Sequence, residues 1–105
     1  MHSTALEFSI VIPCYDEAAA LKETIHHLRQ ILRNYDECEV IIVDDGSKDG
    51  SWDILQSLQP GIPELKLIKH DYNKGYGAAL KSGIRRASGE IIVITDADGT
   101  YPNDM

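Results

Sequence analysis

Residues 39–47 read EVIIVDDGS. Val40, Ile41, Ile42 and Val43 follow one another without a polar interruption, as in a strand covered on both faces; a strand wetted on one side alternates instead. The run stops at two carboxylates, Asp44 and Asp45, and a Gly-Ser turn. Three other stretches share this form: FSIVIP (8–13), LKLIKH (65–70) and EIIVIT (90–95). The first and last are equally dense in Ile and Val and carry the same expectation of burial. LKLIKH alternates, which places it nearer a sheet edge.

Between these runs lie helical patterns. Leu21, Ile25, Leu28 and Leu32 recur at i, i+4, i+7 and i+11 and form one apolar stripe. SWDILQSL (51–58) offers Trp52, Leu55 and Leu58. GYGAALKSGIRRA (75–87) puts Tyr76, Leu80, Ile84 and Ala87 on one apolar side, with Gly89 placed as a stop. Strand and helix thus alternate with short links, the pattern of βαβ units on a parallel sheet with right-handed crossovers. The expected class is α/β, with four parallel strands in the order 3-2-1-4 and helices on the faces. In such a sheet the segments after each strand gather along one rim, and ligands bind there where the strand order reverses. Those segments are CYDE (14–17), DGSKDG (45–50), DYNKG (71–75) and DADGTYP (96–102).

Bulk properties narrow the partners. The chain has 105 residues, 43% hydrophobic and 26% charged, the size and composition of one soluble domain or part of one. Its net charge is −7 and its pI about 4.9, so it lacks the clustered basic surface of a nucleic-acid groove. A phosphorylated ligand would be repelled unless a cation or local N–H donors intervened. No apolar run approaches the roughly 20 residues that cross a bilayer. The N-terminus has no signal-peptide pattern. Cys14 and Cys38 read as two packed thiols of a reducing, cytoplasmic protein. His26 and His27 diverge on a helix and form no ligand pattern.

The rim motifs each admit two readings. Asp96 and Asp98, spaced i and i+2 after a strand, suit a hard divalent cation that bridges to phosphate oxygens; Asp-Gly after a strand is also an ordinary turn. In VDDGS (43–47) one inward Asp could accept from a ribose hydroxyl or base N–H, or the segment could be a plain strand-to-helix turn. In VIPCYDE (11–17), Pro13 closes a strand, Tyr15 offers an aromatic plate, and Glu17 stands at a helix mouth where an acid also favours the macrodipole. Gly75 and Gly77 give a weak dinucleotide fingerprint, Leu80 replacing the third glycine, and read better as places of close backbone approach. Lys74 reads as solvated. Two rival functions fit parts of this set. IIVITDADGT (91–100), with Asp96 as nucleophile and Asp98 as general acid, would make a haloacid-dehalogenase-type phosphatase. An acidic pocket at VDDGS would make a non-catalytic α/β regulatory module.

Taken together and in order, VIPCYDE, VDDGS, NKGYGAALKSGIRRASGE and DADGTYP resemble the N-terminal part of a family 2 glycosyltransferase, most closely the dolichol- or polyprenyl-phosphate sugar transferases. The resemblance runs from Phe8 to Pro102 and implies a GT-A (Rossmann-like) fold. It implies a nucleotide-sugar donor, UDP- or GDP-linked, and Mn²⁺ or Mg²⁺. Carried over residue by residue, Pro13, Tyr15, Glu17, Val43, Asp45, Asp96, Ala97 and Asp98 would contact the donor, with Asp98 and Asp96 at the metal. Two departures stand out: Asp16 where many relatives carry Asn, and Thr100 where polyprenyl-phosphate enzymes often carry Gln. The resemblance further implies that residues 1–105 are the donor-binding half of a transferase domain, truncated after the D-x-D motif. The catalytic base and acceptor site would then lie further along a longer chain. A lipid phosphate at the cytoplasmic face of a membrane is one implied acceptor. Truncation would leave an open sheet edge and favour homo-oligomers.

Overall fold

The structure, a computed structural model, describes residues 7–34 and 37–95. In chain order it contains β1 (Phe8–Cys14), α1 (Ala18–Asn34), β2 (Cys38–Asp44), α2 (Ser51–Leu58), a 3₁₀ turn (Gln59–Gly61), β3 (Leu65–Lys69), α3 (Tyr76–Arg86) and β4 (Ile91–Ile94). All pairings are parallel and the sheet order is β3-β2-β1-β4, as the sequence implies. LKLIKH is the edge strand β3, and every residue of β2 is buried.

Side-chain alternation sorts the core into two layers. Ile10, Ile12, Cys14, Val40, Ile42 and Leu65 meet Leu21, Ile25 and Leu28 of α1 and Leu55 of α2 on one face. Ile41 and Val43 meet Ala79 of α3 on the other. Both cysteines are free and buried. Burial, then the neighbouring Asp44 charge, pushes the Cys14 thiol up to about 12, so it is protonated at neutral pH.

Helix α3 departs from the expected packing. Its buried residues are Ala79 and Gly83, while Tyr76 and Ile84 are exposed. The reason is distance: a Cβ on Gly83 would stand 2.4 Å from Val11 Cγ1 and 3.3 Å from Val43 Cγ2. The helix lies so close to the sheet that only small residues fit beneath it, and its larger apolar residues turn aside. Gly77, read as a site of close approach, has nothing within 4 Å of a Cβ built on it. The second departure is β4, whose four residues are exposed although the run reads as doubly covered. Among the described strands it pairs only with β1, and α3 packs over β1 and β2 rather than over β4.

Pro13 sits in a strand with neighbours on both sides, an uncommon place for a residue without an N–H. Val11 O accepts the Thr95 N–H at 3.1 Å, so odd-numbered β1 residues direct their backbone groups toward β4. Among the described residues the last β1–β4 pair is Val11↔Ile94, so Pro13, whose nitrogen faces β4 without a hydrogen, stands where the described pairing ends.

At the N-terminal ends of the strands, Glu39 is 2% exposed. It accepts from Ser9 Oγ (2.6 Å) and the Ser88 N–H (2.6 Å) and pairs with the Lys66 ammonium. Burial alone would raise its carboxyl; Lys66, Ser9 and Ser88 outweigh that and hold it below the usual carboxylate range. Gly89 N–H donates to Ser9 Oγ at 2.7 Å, so this cluster pins the α3–β4 link under the sheet.

Candidate functional site

The opposite rim, at the carboxyl ends of the strands, carries the predicted motifs. The β1–α1 turn begins when the Asp45 N–H donates to Cys14 O at 2.8 Å, which continues the β1–β2 ladder into the loops. Tyr15 follows and is 43% exposed, a ring presented to solvent rather than packed in the core. Asp16 has φ 50°, a left-handed conformation that Asp and Asn adopt more readily than other side-chain-bearing residues. That requirement explains why Asp can stand where the resembled family often has Asn. The Asp16 N–H donates to Ser47 Oγ (2.8 Å), and the Lys48 N–H donates to Asp16 Oδ1 (2.7 Å). Asp49 reaches the same turn from the β2–α2 loop, accepting from the Ala18 N–H at 3.0 Å. The Ser51 hydroxyl first, then the Ala18 and Ser51 amides, hold the Asp49 carboxyl below its usual range.

The β2–α2 and β3–α3 loops are joined as closely. Gly46 has φ 76°, and a Cβ there would meet Tyr72 C at 2.3 Å and Asn73 N at 2.5 Å. Asp45, 3% exposed, turns toward the β3–α3 loop. Its Oδ1 accepts from His70 Nδ1 (2.8 Å) and the Lys74 N–H (2.9 Å). Its Oδ2 accepts from Asn73 Nδ2 (3.1 Å) and the Gly75 N–H (2.9 Å). A carboxylate offers about four acceptor sites, and these donors fill them. Burial would raise this carboxyl; His70 and the Lys74 and Gly75 amides overcome it and lower it instead. His70 Nε2 lies 2.7 Å from Ser82 Oγ, so the ring links Asp45 to α3.

The sequence-predicted residues therefore separate into three sets. Tyr15 and the half-buried Glu17 share the β1–α1 turn, which the half-buried Pro13 precedes near the end of β1, and this segment is bonded directly to the loop that carries Asp45. Val43 is fully buried in the α3-side layer, so its side chain faces the core. Asp44 is also fully buried; Oδ1 accepts the Ser47 N–H at 3.3 Å, while Oδ2 has no hydrogen-bond partner among the described residues. Asp96, Ala97 and Asp98 lie outside the described residues. Among the described residues no group of three or more His, Cys, Asp or Glu could hold a metal ion. Lys74 lies over the exposed Tyr72 ring, 5.3 Å from its centroid.

Sequence reasoning missed Asp49, His70 and Ser82. His70 had a signal: Asp44↔Lys69 is the last registered β2–β3 pair, so Asp45 and His70 are the next residues on adjacent strands. Asp49 had only a generic one, a carboxylate before a helix.

The profile of glycosyl transferase family 2 matches residues 9–105, which include all four rim motifs. The chain belongs to glycosyl transferase family 2. It is 33% identical over 102 residues to a dolichol-phosphate mannosyltransferase of Pyrococcus furiosus, covering 95% of this chain and 28% of that one. Among solved structures, a mannosyltransferase from Pyrobaculum calidifontis in complex with GDP-Man and Mn²⁺ superposes with a TM-score of 0.80 at 32% identity, covering 88% of this chain and 27% of that one. Staphylococcus aureus TarS 1–349 in complex with UDP-GlcNAc superposes with a TM-score of 0.79 at 26% identity, covering 89% and 27%. The fold of these neighbours is GT-A, as expected. The chain spans about a third or less of the length of these relatives. The family 2 match runs through both VDDGS and the Asp-x-Asp region, and it supersedes the regulatory-module reading of the first and the phosphatase reading of the second.

Proposed function

We propose that this chain is the donor-binding part of an inverting glycosyltransferase that moves a sugar from a nucleoside-diphosphate sugar to an acceptor. The observation that carries the reading is the rim: loops following β1, β2 and β3 are hydrogen-bonded to one another at the carboxyl ends of the strands, and this surface displays the Tyr15 ring. The Mn²⁺ and GDP-Man in the Pyrobaculum neighbour and the UDP-GlcNAc in TarS support the donor class. In this proposal Tyr15 stacks on the base, Pro13 and Glu17 shape the nucleoside pocket, and Asp45 lies against the base or ribose. Asp45 meets the ligand as a residue already held by four donors, so any new bond to it replaces or shares one of them.

Asp96 and Asp98 would hold Mn²⁺ or Mg²⁺, which supplies positive charge where the leaving diphosphate gains negative charge. Thr95, the residue before Asp96, is bonded to Val11 on β1, the strand that leads into the Tyr15 turn. The acceptor attacks from the face opposite the leaving group. A hydroxyl acceptor needs a general base, which we place, with the acceptor site, outside residues 1–105. The dolichol-phosphate relative supports a polyprenyl phosphate acceptor; we place that reaction at the cytoplasmic face of a membrane. No helix among the described residues is long and apolar enough to cross one.

The test is calorimetric titration of UDP and GDP, each with and without Mn²⁺, into this chain and its Asp98→Ala variant. One nucleotide should bind in a Mn²⁺-dependent manner that the variant loses. Equal, metal-independent binding to both proteins would refute the assignment. The chain alone is expected to bind but not to transfer sugar.

A further inference from the structure

Asp49 is exposed and belongs to none of the expected donor contacts, yet it joins two rim loops. The first N–H groups of a helix have no partner within it. Helix α1 has no acidic residue in its own first turn, and its Ala18 N–H donates to Asp49 Oδ2 from 31 residues away. The other oxygen, Oδ1, accepts the Ser51 N–H (3.1 Å) and the Ser51 hydroxyl at the start of α2, whose N-cap Gly50 supplies no side-chain bond. One carboxylate thus caps two helices. Beside it run the paired bonds of Asp16 with Ser47 and Lys48. Tyr15 and Glu17 flank Asp16, so these bonds fix where the ring and carboxylate stand relative to the Asp45 loop.

We propose that Asp49 is the positioning residue of the donor pocket, holding the Tyr15–Glu17 turn against the Asp45 loop through Ala18 and Ser51. The inference rests on the donor-binding reading above. It assigns Asp49 no contact with ligand, and so separates it from groups that bind the diphosphate. Asp49→Asn cuts the link selectively. Its single oxygen keeps the two Ser51 bonds, and its NH₂ then opposes the Ala18 N–H, donor against donor.

The experiment compares wild type, Asp49→Asn and Ser47→Ala by titration with the nucleotide that binds (UDP or GDP, with Mn²⁺) and with Mn²⁺-pyrophosphate, which has no nucleoside. Asp49→Asn should weaken the nucleotide about tenfold, the effect of losing one charge-assisted bond. Pyrophosphate affinity should not change. Ser47→Ala, which removes the parallel bond to Asp16, should show the same split to a smaller degree and serves if Asp49→Asn does not fold. In amide exchange, the Asp49→Asn protein should lose protection at Ala18 and keep it at Ser51. Unchanged nucleotide affinity, an equal loss on pyrophosphate, or unchanged Ala18 exchange would overturn the proposal. Wild-type protein that binds neither nucleotide would instead refute the donor-binding reading itself.

Discussion

Asp45→Asn tests the loop network at its centre. In the wild type each carboxylate oxygen accepts one backbone N–H, Lys74 on Oδ1 and Gly75 on Oδ2, both at 2.9 Å. The amide of Asn must turn its NH₂ toward one of them. Turned one way, the Lys74 N–H and His70 lose their acceptor; turned the other, the Gly75 N–H loses its acceptor and Asn73 keeps only the Asp45 carbonyl, in a site that is 3% exposed. Bonds to a charged group contribute about 1.5–3 kcal/mol each, and an unsatisfied buried donor costs about 1–3 kcal/mol. Allowing for relaxation of the exposed Asn73, the loss should be about 3–5 kcal/mol, a large part of the 5–15 kcal/mol typical of a domain. Urea denaturation at pH 7 measures it. The acid limb supplies a second readout. A carboxyl whose folded pKa is depressed gives stability that is present above its unfolded value, about 3.9 for Asp, and lost as pH falls through the lower folded value. Asp45 and Glu39 are both depressed, so the wild type should weaken as pH drops below about 4, and Asp45→Asn should flatten that slope. A loss under about 1 kcal/mol with an unchanged acid limb would refute the description of Asp45 as the four-fold acceptor that joins these loops.

Other perturbations follow from the same geometry. Gly83→Ala gains about 1 kcal/mol of helix propensity but forces a methyl against fully buried Val11, so thermal melting should show net destabilisation of up to about 2 kcal/mol. Gly77→Ala, with open space around it, should instead stabilise by about 0.5–1 kcal/mol in the same assay. Tyr15→Ala should weaken nucleotide binding several-fold by titration while leaving the urea midpoint nearly unchanged, because the ring is 43% exposed. The exposed edge strand, with Ile91, Ile92, Val93 and Ile94 between 39% and 49% exposed, should drive concentration-dependent self-association in sedimentation, and Ile92→Lys should reduce it. A strictly monomeric wild type at high concentration would contradict that expectation.

The strand order and the rim were legible because burial on both faces writes itself as unbroken Val and Ile, and because a parallel sheet sends all its C-terminal loops to one side. The packing face of α3 was not legible. A helix that lies against a sheet through Ala79 and Gly83 leaves little hydropathy on its contact face, and the stronger signal from Tyr76 and Ile84 belongs to the exposed side. The exposure of β4 was hidden for a related reason: Ile and Val report strand propensity, not which layer covers them. The loop bonds were invisible because they join side chains to backbone groups about 30 residues away, as Asp49 does to Ala18 and Asp45 to Gly75. VDDGS was legible as a rim segment at the end of a strand, but not that Asp45 would face inward to His70, Asn73, Lys74 and Gly75.

The most direct test of the donor-binding rim is a map of backbone amide shifts as nucleotide and Mn²⁺ are added to this chain. The account predicts that perturbations concentrate at Tyr15, Glu17, Asp45, Lys74 and Gly75, and spare Glu39, Ser88 and Gly89 at the other end of the sheet. Shifts centred on the Glu39 cluster, or scattered evenly over the molecule, would contradict it.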